Sequence, residues 1–334
     1  MSTVLPELNV FKAADYKAEI HNDWCPGCGD FGILSAVQMA LAKLQVPPHR
    51  TAVVSGIGCA GKAAHYMHTY SFHTLHGRVM PSVTAMKLAN HDLTVIGVGG
   101  DGDAYGIGAG HFVNGGRRNL DITYIVFNND VYALTKGQAS PTIAKGLKTK
   151  SMPEVTIMDA INPILLGLAC GYTFVARGYA LDTKYLSEII AQGIQHRGSA
   201  LIDVYQTCPT YNDLHTKGYY SEAVEGQPRL YKLEDTDYDP LVHNPNDPAE
   251  IAQKKAQALL KSQETGGRLA LGVHYKLEVP TYEDYLKAKI PGLREKPLAE
   301  LDLYHRDITP NIQELIALAH VFRRRKFFRQ IRCP

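Results

Sequence analysis

Three apolar runs, TAVVSGIG (51–58), HDLTVIGVGG (91–100) and LDITYIVFNN (120–129), each end in glycine or asparagine. Runs this short and rich in β-branched residues, bounded by turn formers, read as buried strands. Helical patterns lie around them: 32–46 up to the breaker Pro47-Pro48, then 80–90 and 107–116. Two further units follow, an apolar stretch at 159–171 before the strand YTFVARG, and a helix at 183–196 before ALIDVYQTC. Strands alternating with helices predict an α/β fold, a doubly wound and mostly parallel sheet. The sheet is expected to end near Thr210. Beyond it an extension (211–334) reads as loops, a helix at 248–262, a short LALGVHY strand and a last helix near 311–321. The divisions expected are therefore an arm (1–20), the α/β domain (21–210) and the extension.

The 334 residues are enough to bury a substantial core. A formal charge of +2 implies no polyanionic partner, so nucleic acid is not indicated. The N-terminus lacks an apolar stretch behind a basic start, and no apolar run approaches the roughly 20 residues that span a bilayer. No membrane association is expected, and the cytoplasm is the expected location. Six cysteines are too few for a disulfide scaffold in a chain of this size. The closing RRRKFFRQIRCP carries six basic residues; it reads as a solvated tail, with docking of an acidic electron carrier as the alternative.

Gly100-Asp101-Gly102 and Asn128-Asn129 are separated by 25 residues, and each stands at the carboxyl end of an expected strand. Ligands of open α/β sheets gather there. Either element alone is a common turn. The pair, at this spacing, resembles the magnesium and diphosphate motif of thiamine-diphosphate enzymes. Magnesium takes hard oxygen ligands in an octahedron that phosphates complete. Asp101 offers a carboxylate oxygen, Asn129 a side-chain oxygen and Val131 a backbone carbonyl. Gly100 and Gly102 are expected to let the backbone approach a diphosphate, and the amides after Asp103 and in the turn Ala133-Leu134-Thr135 to donate to it. A dinucleotide site is disfavoured, because its glycines should follow the first strand.

Cys25 and Cys28 present two sulfurs from one turn before a helix, where amides and the helix dipole favour thiolate. Cys59 and Cys208 each follow a strand. All four are expected to meet at the sheet's carboxyl edge, as a Cys₄ set for zinc or a [4Fe–4S] cluster. The spacing alone favours zinc. Chemistry favours the cluster, since decarboxylation on thiamine leaves electrons that a nearby one-electron acceptor can take. Cys170 reads as a buried small apolar residue and Cys333 as incidental.

Together the segments DWCPGCGDFG, IGCAGK, FHTLHGR, GDGD, NNDVYALTKGQ and QTCPTYN resemble the β subunit of 2-oxoacid:ferredoxin oxidoreductases, the 2-oxoglutarate members above all, over about residues 20–290. The resemblance implies that Cys25, Cys28, Cys59 and Cys208 ligate one [4Fe–4S] cluster and that Asp101, Asn129 and Val131 hold Mg²⁺. It further implies that Ile57, Gly58, Cys59, Ala60, Gly102, Asp103, Leu134 and Thr135 contact thiamine diphosphate. The implied reaction converts a 2-oxo acid, coenzyme A and oxidised ferredoxin to acyl-CoA, CO₂ and reduced ferredoxin, and runs in reverse as CO₂ fixation. The carboxylate that activates thiamine is implied to come from the partner α subunit. This chain has no Glu between Glu19 and Glu154.

Two residues are singled out as catalytic candidates: Lys62, as an ammonium for a substrate carboxylate, and His76, for proton transfer or a bond to the cofactor. His73 is a weaker candidate of the same kind. Arg78 reads equally as an anion clamp or a structural ion pair, and His65, Met67 and His68 as packing or surface residues. Rival readings are pyruvate or a broad 2-oxo acid as substrate, a non-redox thiamine lyase with structural zinc, and a non-catalytic scaffold.

Overall fold

Strands with both faces buried organise the chain in this computed structural model, which describes residues 10–263 and 267–290 together with 292, 296, 300, 309, 312 and 313. The expected helix at 311–321 and the basic tail with Cys333 lie largely or wholly outside the described residues. In chain order the helices are α1 (Asp30–Leu44), α2 (Val79–Ala89), α3 (Ala109–Arg118), α4 (Pro163–Cys170), α5 (Thr183–Gln195), α6 (Lys217–Ser221), α7 (Pro248–Ser262) and α8 (Tyr282–Lys289). The strands are β1 (Thr51–Ser55), β2 (Tyr70–His73), β3 (Thr94–Gly100), β4 (Ile122–Asn128), β5 (Val131–Tyr132), β6 (Gln138–Ala139), β7 (Phe174–Tyr179), β8 (Ser199–Tyr205), β9 (Ala223–Val224), β10 (Gln227–Pro228), β11 (Leu230–Lys232) and β12 (Leu269–Lys276).

Eight strands make the main sheet, in the order β11-β12-β7-β8-β4-β3-β1-β2. From β7 to β2 every pairing is parallel. β1, β4 and β7 are buried along their whole length, as a parallel sheet covered on both faces requires. Alternate residues serve opposite layers. Val53 packs with Leu34, Leu41 and Ile190 of α1 and α5, whereas Ala52 and Val54 pack with Val83, Phe112 and Leu168 of α2, α3 and α4.

Several expectations about the elements are corrected. The sheet does not end near Thr210: β12 pairs antiparallel with β7 and carries β11 at its outer side. The expected LALGVHY strand is thus the continuation of the main sheet. At the opposite edge, β2 was not expected, because its four residues are all exposed and lack an apolar face. The apolar stretch 159–171 becomes helical only at Pro163. Asn162 Oδ1 accepts the amides of Ile164 and Leu165 at 3.0 and 3.2 Å, and proline suits the first helical position. α3 begins at Ala109, since a wide π-type turn at Gly102–Ile107 precedes it and Gly106 departs from helical geometry. Among the described residues no helix is long and apolar enough to cross a membrane.

Candidate active site at the carboxyl edge of the sheet

Neighbouring strands β8, β4, β3 and β1 end side by side, so the loops that follow them share one edge. The loop after β1 brings Ile57, Gly58, Cys59 and Ala60, the loop after β3 brings Asp101, Gly102 and Asp103, and the loop after β4 brings Asn129, Val131, Ala133, Leu134 and Thr135. All twelve line one cavity of about 190 Å³, with His76, Tyr132 and Asp30.

Asp101 is almost fully buried at 2% exposure. The hydroxyls of Ser140 and Thr142 donate to its Oδ2 at 2.5 and 2.6 Å, and Thr142 Oγ1 is also 2.9 Å from Asn128 Oδ1. Burial, and then the carboxylate of Asp130, push the Asp101 carboxyl up to about 7 against the pull of the two hydroxyls. A hard cation beside it would favour the ionised form and offset that desolvation. Asn129 Oδ1 accepts the amide of Val131 at 3.1 Å, closing the turn, and the Asn129 carbonyl accepts Asn212 Nδ2 at 2.9 Å. These oxygen donors fit magnesium by type.

Gly102 lines the cavity and has a second use. A Cβ there would fall 2.1 Å from the ring of Tyr132, so the missing side chain makes room for tyrosine. Asp103 is also a clamp as well as a wall residue. Its Oδ1 accepts the amides of Gly77 and Ile57 at 2.7 and 3.1 Å and lies 2.9 Å from His76 Nδ1. Burial raises its carboxyl, with the two amides opposing, and its Oδ2 has no partner. If His76 donates from Nδ1, its Nε2 is left as an acceptor. His73 bonds instead to Ser55 Oγ and the Gly61 carbonyl at 2.9 and 3.1 Å, and Arg78 donates to the Gly77 carbonyl at 3.4 Å.

Cys25, Cys28, Cys59 and Cys208 line a second cavity, of about 180 Å³. Trp24, the chain's single tryptophan, walls it and donates from Nε1 to the Cys59 carbonyl at 2.8 Å. Of the two sulfurs at the helix start, Cys28 meets an opposing influence: burial and then Asp30 push its thiol far up, and the same two causes push Cys59 up to about 12. Burial also raises Cys208. A cation among them would offset that burial and favour the thiolates of Cys28, Cys59 and Cys208. Among the described residues no three His, Cys, Asp or Glu side chains converge on a single-ion position. Lys62 lines this second cavity and not the first. Its Nζ donates to Asp23 at 2.6 Å, and Asp23 also accepts the hydroxyl of Tyr66. Cys170 packs half-buried against the core.

The two cavities share Cys59, Asn129, Ala133 and Leu134. Sequence reasoning missed Asp30, Tyr132, Ser140, Thr142 and Gln206. Asp30 had a signal, its place directly after the CPGCG turn, whereas Ser140 and Thr142 come from a loop with no motif.

A family model described as the C-terminal TPP binding domain of thiamine pyrophosphate enzymes matches residues 56–204. The edge just described therefore belongs to a thiamine-binding enzyme domain. A second, described as the C-terminal part of the pyruvate ferredoxin oxidoreductase beta subunit, matches residues 208–289. The chain is 53% identical over 282 residues to a 2-oxoacid:ferredoxin oxidoreductase subunit beta of Saccharolobus solfataricus, covering 83% of this chain and 90% of that one. It is 33% identical over 309 residues to the 2-oxoglutarate oxidoreductase subunit KorB of Mycobacterium tuberculosis, covering 85% and 83%. A solved 2-oxoglutarate:ferredoxin oxidoreductase from Magnetococcus marinus, with 2-oxoglutarate, coenzyme A and succinyl-CoA bound, superposes with a TM-score of 0.78 at 32% identity, covering 96% of this chain and 99% of that one. This chain belongs to the β subunits of the 2-oxoacid:ferredoxin oxidoreductases, and it is an oxidoreductase subunit.

Proposed function

We propose that the chain holds thiamine diphosphate and Mg²⁺ in the first cavity and one [4Fe–4S] cluster in the second. With an α subunit, it would oxidise 2-oxoglutarate with coenzyme A to succinyl-CoA and CO₂, passing electrons singly to ferredoxin. The observation that carries this reading is the common wall: a cavity of oxygen donors and a cavity of four cysteines meet at Cys59, Asn129, Ala133 and Leu134.

Bound thiamine diphosphate supplies the nucleophilic carbon and the electron sink for decarboxylation. Asp101, Asn129 and the Val131 carbonyl would hold Mg²⁺, which would supply positive charge for the diphosphate, with Ser140 and Thr142 orienting Asp101. Asp103 fixes His76, whose Nε2 is placed to hold or accept a proton at the cavity. Ile57, Ala133 and Leu134 keep its wall apolar, which limits water. Lys62 serves as the cation for a substrate carboxylate, with Asp23 holding the ammonium until one arrives. Four sulfurs around a cavity support a cluster over zinc, because four Zn–S bonds of about 2.3 Å would draw them tightly about one point.

The test is the spectrum of anaerobically purified α/β complex, with iron and sulfide assays on the same sample. The expected result is a brown chromophore bleached by dithionite, with about four irons per β chain. One zinc and no iron would leave the thiamine site standing and overturn the redox reading. Initial rates with 2-oxoglutarate and pyruvate then fix the substrate, and a preference for pyruvate would overturn that assignment.

A further inference from the structure

Gln206, one residue past β8, is 1% exposed and lines the cysteine cavity. Its Nε2 donates to Asp30 Oδ1 and to Cys28 Sγ, the latter at 3.8 Å. Asp30 lines the first cavity, and Gln206 and Cys28 line the second. The backbone fixes this arrangement from both sides. Gln206 donates its amide to the Asn128 carbonyl at 2.9 Å, and Gly29 donates to the Thr207 carbonyl at 3.0 Å. A Cβ at Gly29 would fall 2.8 Å from Gln206 Cγ and 2.9 Å from the Thr207 amide nitrogen, so only glycine lets the cysteine turn close on this strand end.

Both neighbours of the side-chain amide are acceptors, a carboxylate oxygen and a sulfur, and this fixes its NH₂ toward them. Gln206 Oε1 and Asp30 Oδ2 are buried without a partner. Stability alone gives no reason for leaving two polar atoms unmatched in one contact.

We infer that Gln206 is a positioning residue that sets the reduction potential of the iron–sulfur site by donating to Cys28 while holding Asp30 in the wall of the thiamine cavity. The inference rests on the cluster reading above. A donor to a ligand sulfur stabilises the more negative, reduced cluster and raises its potential. Asp30 acts in the opposite sense, and Gln206 separates the two negative groups.

The experiment is an EPR-monitored redox titration of the α/β holoenzyme and of its Gln206→Leu and Gln206→Glu variants. Loss of the donor is expected to lower the midpoint in both, by about a tenfold change in the one-electron equilibrium, or about 59 mV. Unchanged midpoints with full iron content would overturn the inference, as would loss of iron from both variants with thiamine diphosphate still bound. The Gln206→Glu variant keeps the shape of the side chain should Gln206→Leu fail to fold. Absence of iron from the wild-type complex would instead fell the cluster reading itself, before any variant is compared.

Discussion

Asp101 depends on neighbours that lie far away in the chain. Ser140 and Thr142 hold its carboxylate from a loop about forty residues downstream, and Thr142 also reaches Asn128. Removing the Thr142 hydroxyl by Thr142→Val leaves Asp101 with one orienting hydroxyl, that of Ser140, and loss of such an outer partner typically weakens metal binding about 10–100-fold. Calorimetric titration of thiamine diphosphate in the presence of magnesium should show that loss, and an undiminished affinity would mean that Ser140 suffices. Residues at strand ends were readable because glycine and asparagine stop a β-branched run where ligands collect: Asp101, Asn129 and Cys59 all lie where that logic puts them. Ser140, Thr142 and Gln206 were not readable, since nothing in their local pattern says which distant carboxylate or sulfur they will meet. Lys62 shows the reverse limit. Its spacing from Cys59 was visible, but its ion pair with Asp23 was not.

Strand β12 changes the balance of the sheet as an element. It runs against β7 and buries His274 completely, with Nδ1 against the Gly272 carbonyl at 3.1 Å and Nε2 without a partner. Burial, then Arg177, hold this imidazole down at about 3, far below its usual 6.5, with Lys261 acting in the same sense. The unfolded chain therefore takes up a proton that the folded chain refuses. The contribution to stability is complete above about 6.5 and is lost as pH falls toward about 3, with a slope near 1.4 kcal/mol per pH unit at most. Urea midpoints measured between about pH 6.5 and 4 should fall more steeply for the wild type than for His274→Gln; equal slopes would place the acid sensitivity elsewhere. The alternation of strands and helices up to β8 was legible from periodicity. The antiparallel return of β12 was not, because pairing direction leaves no mark within a strand, and β2 hid because its exposed residues carry no buried face.

For the whole molecule, the arrangement is a sheet edge with two cavities sharing a wall and no glutamate between Glu19 and Glu154 to activate thiamine. The purified chain alone should bind thiamine diphosphate yet show no turnover, and addition of the α subunit should restore it. Steady turnover by the β chain alone would show that a residue of its own, from among the carboxylates Asp30, Asp101 and Asp103 of the cavity wall, replaces the missing group. The expectation of a partner came from the family resemblance, with which the gap in the sequence agrees, but the contact of Asp30 with Gln206, from one cavity wall to the other, could be seen only once the chain had folded. Trp24 gives this architecture a built-in optical probe. As the chain's single tryptophan, it is tied through its indole N–H to Cys59 in the wall of the cysteine cavity, so emission excited beyond the tyrosine band reports from that one place, and filling or emptying the cavity can be followed by light without attaching a label.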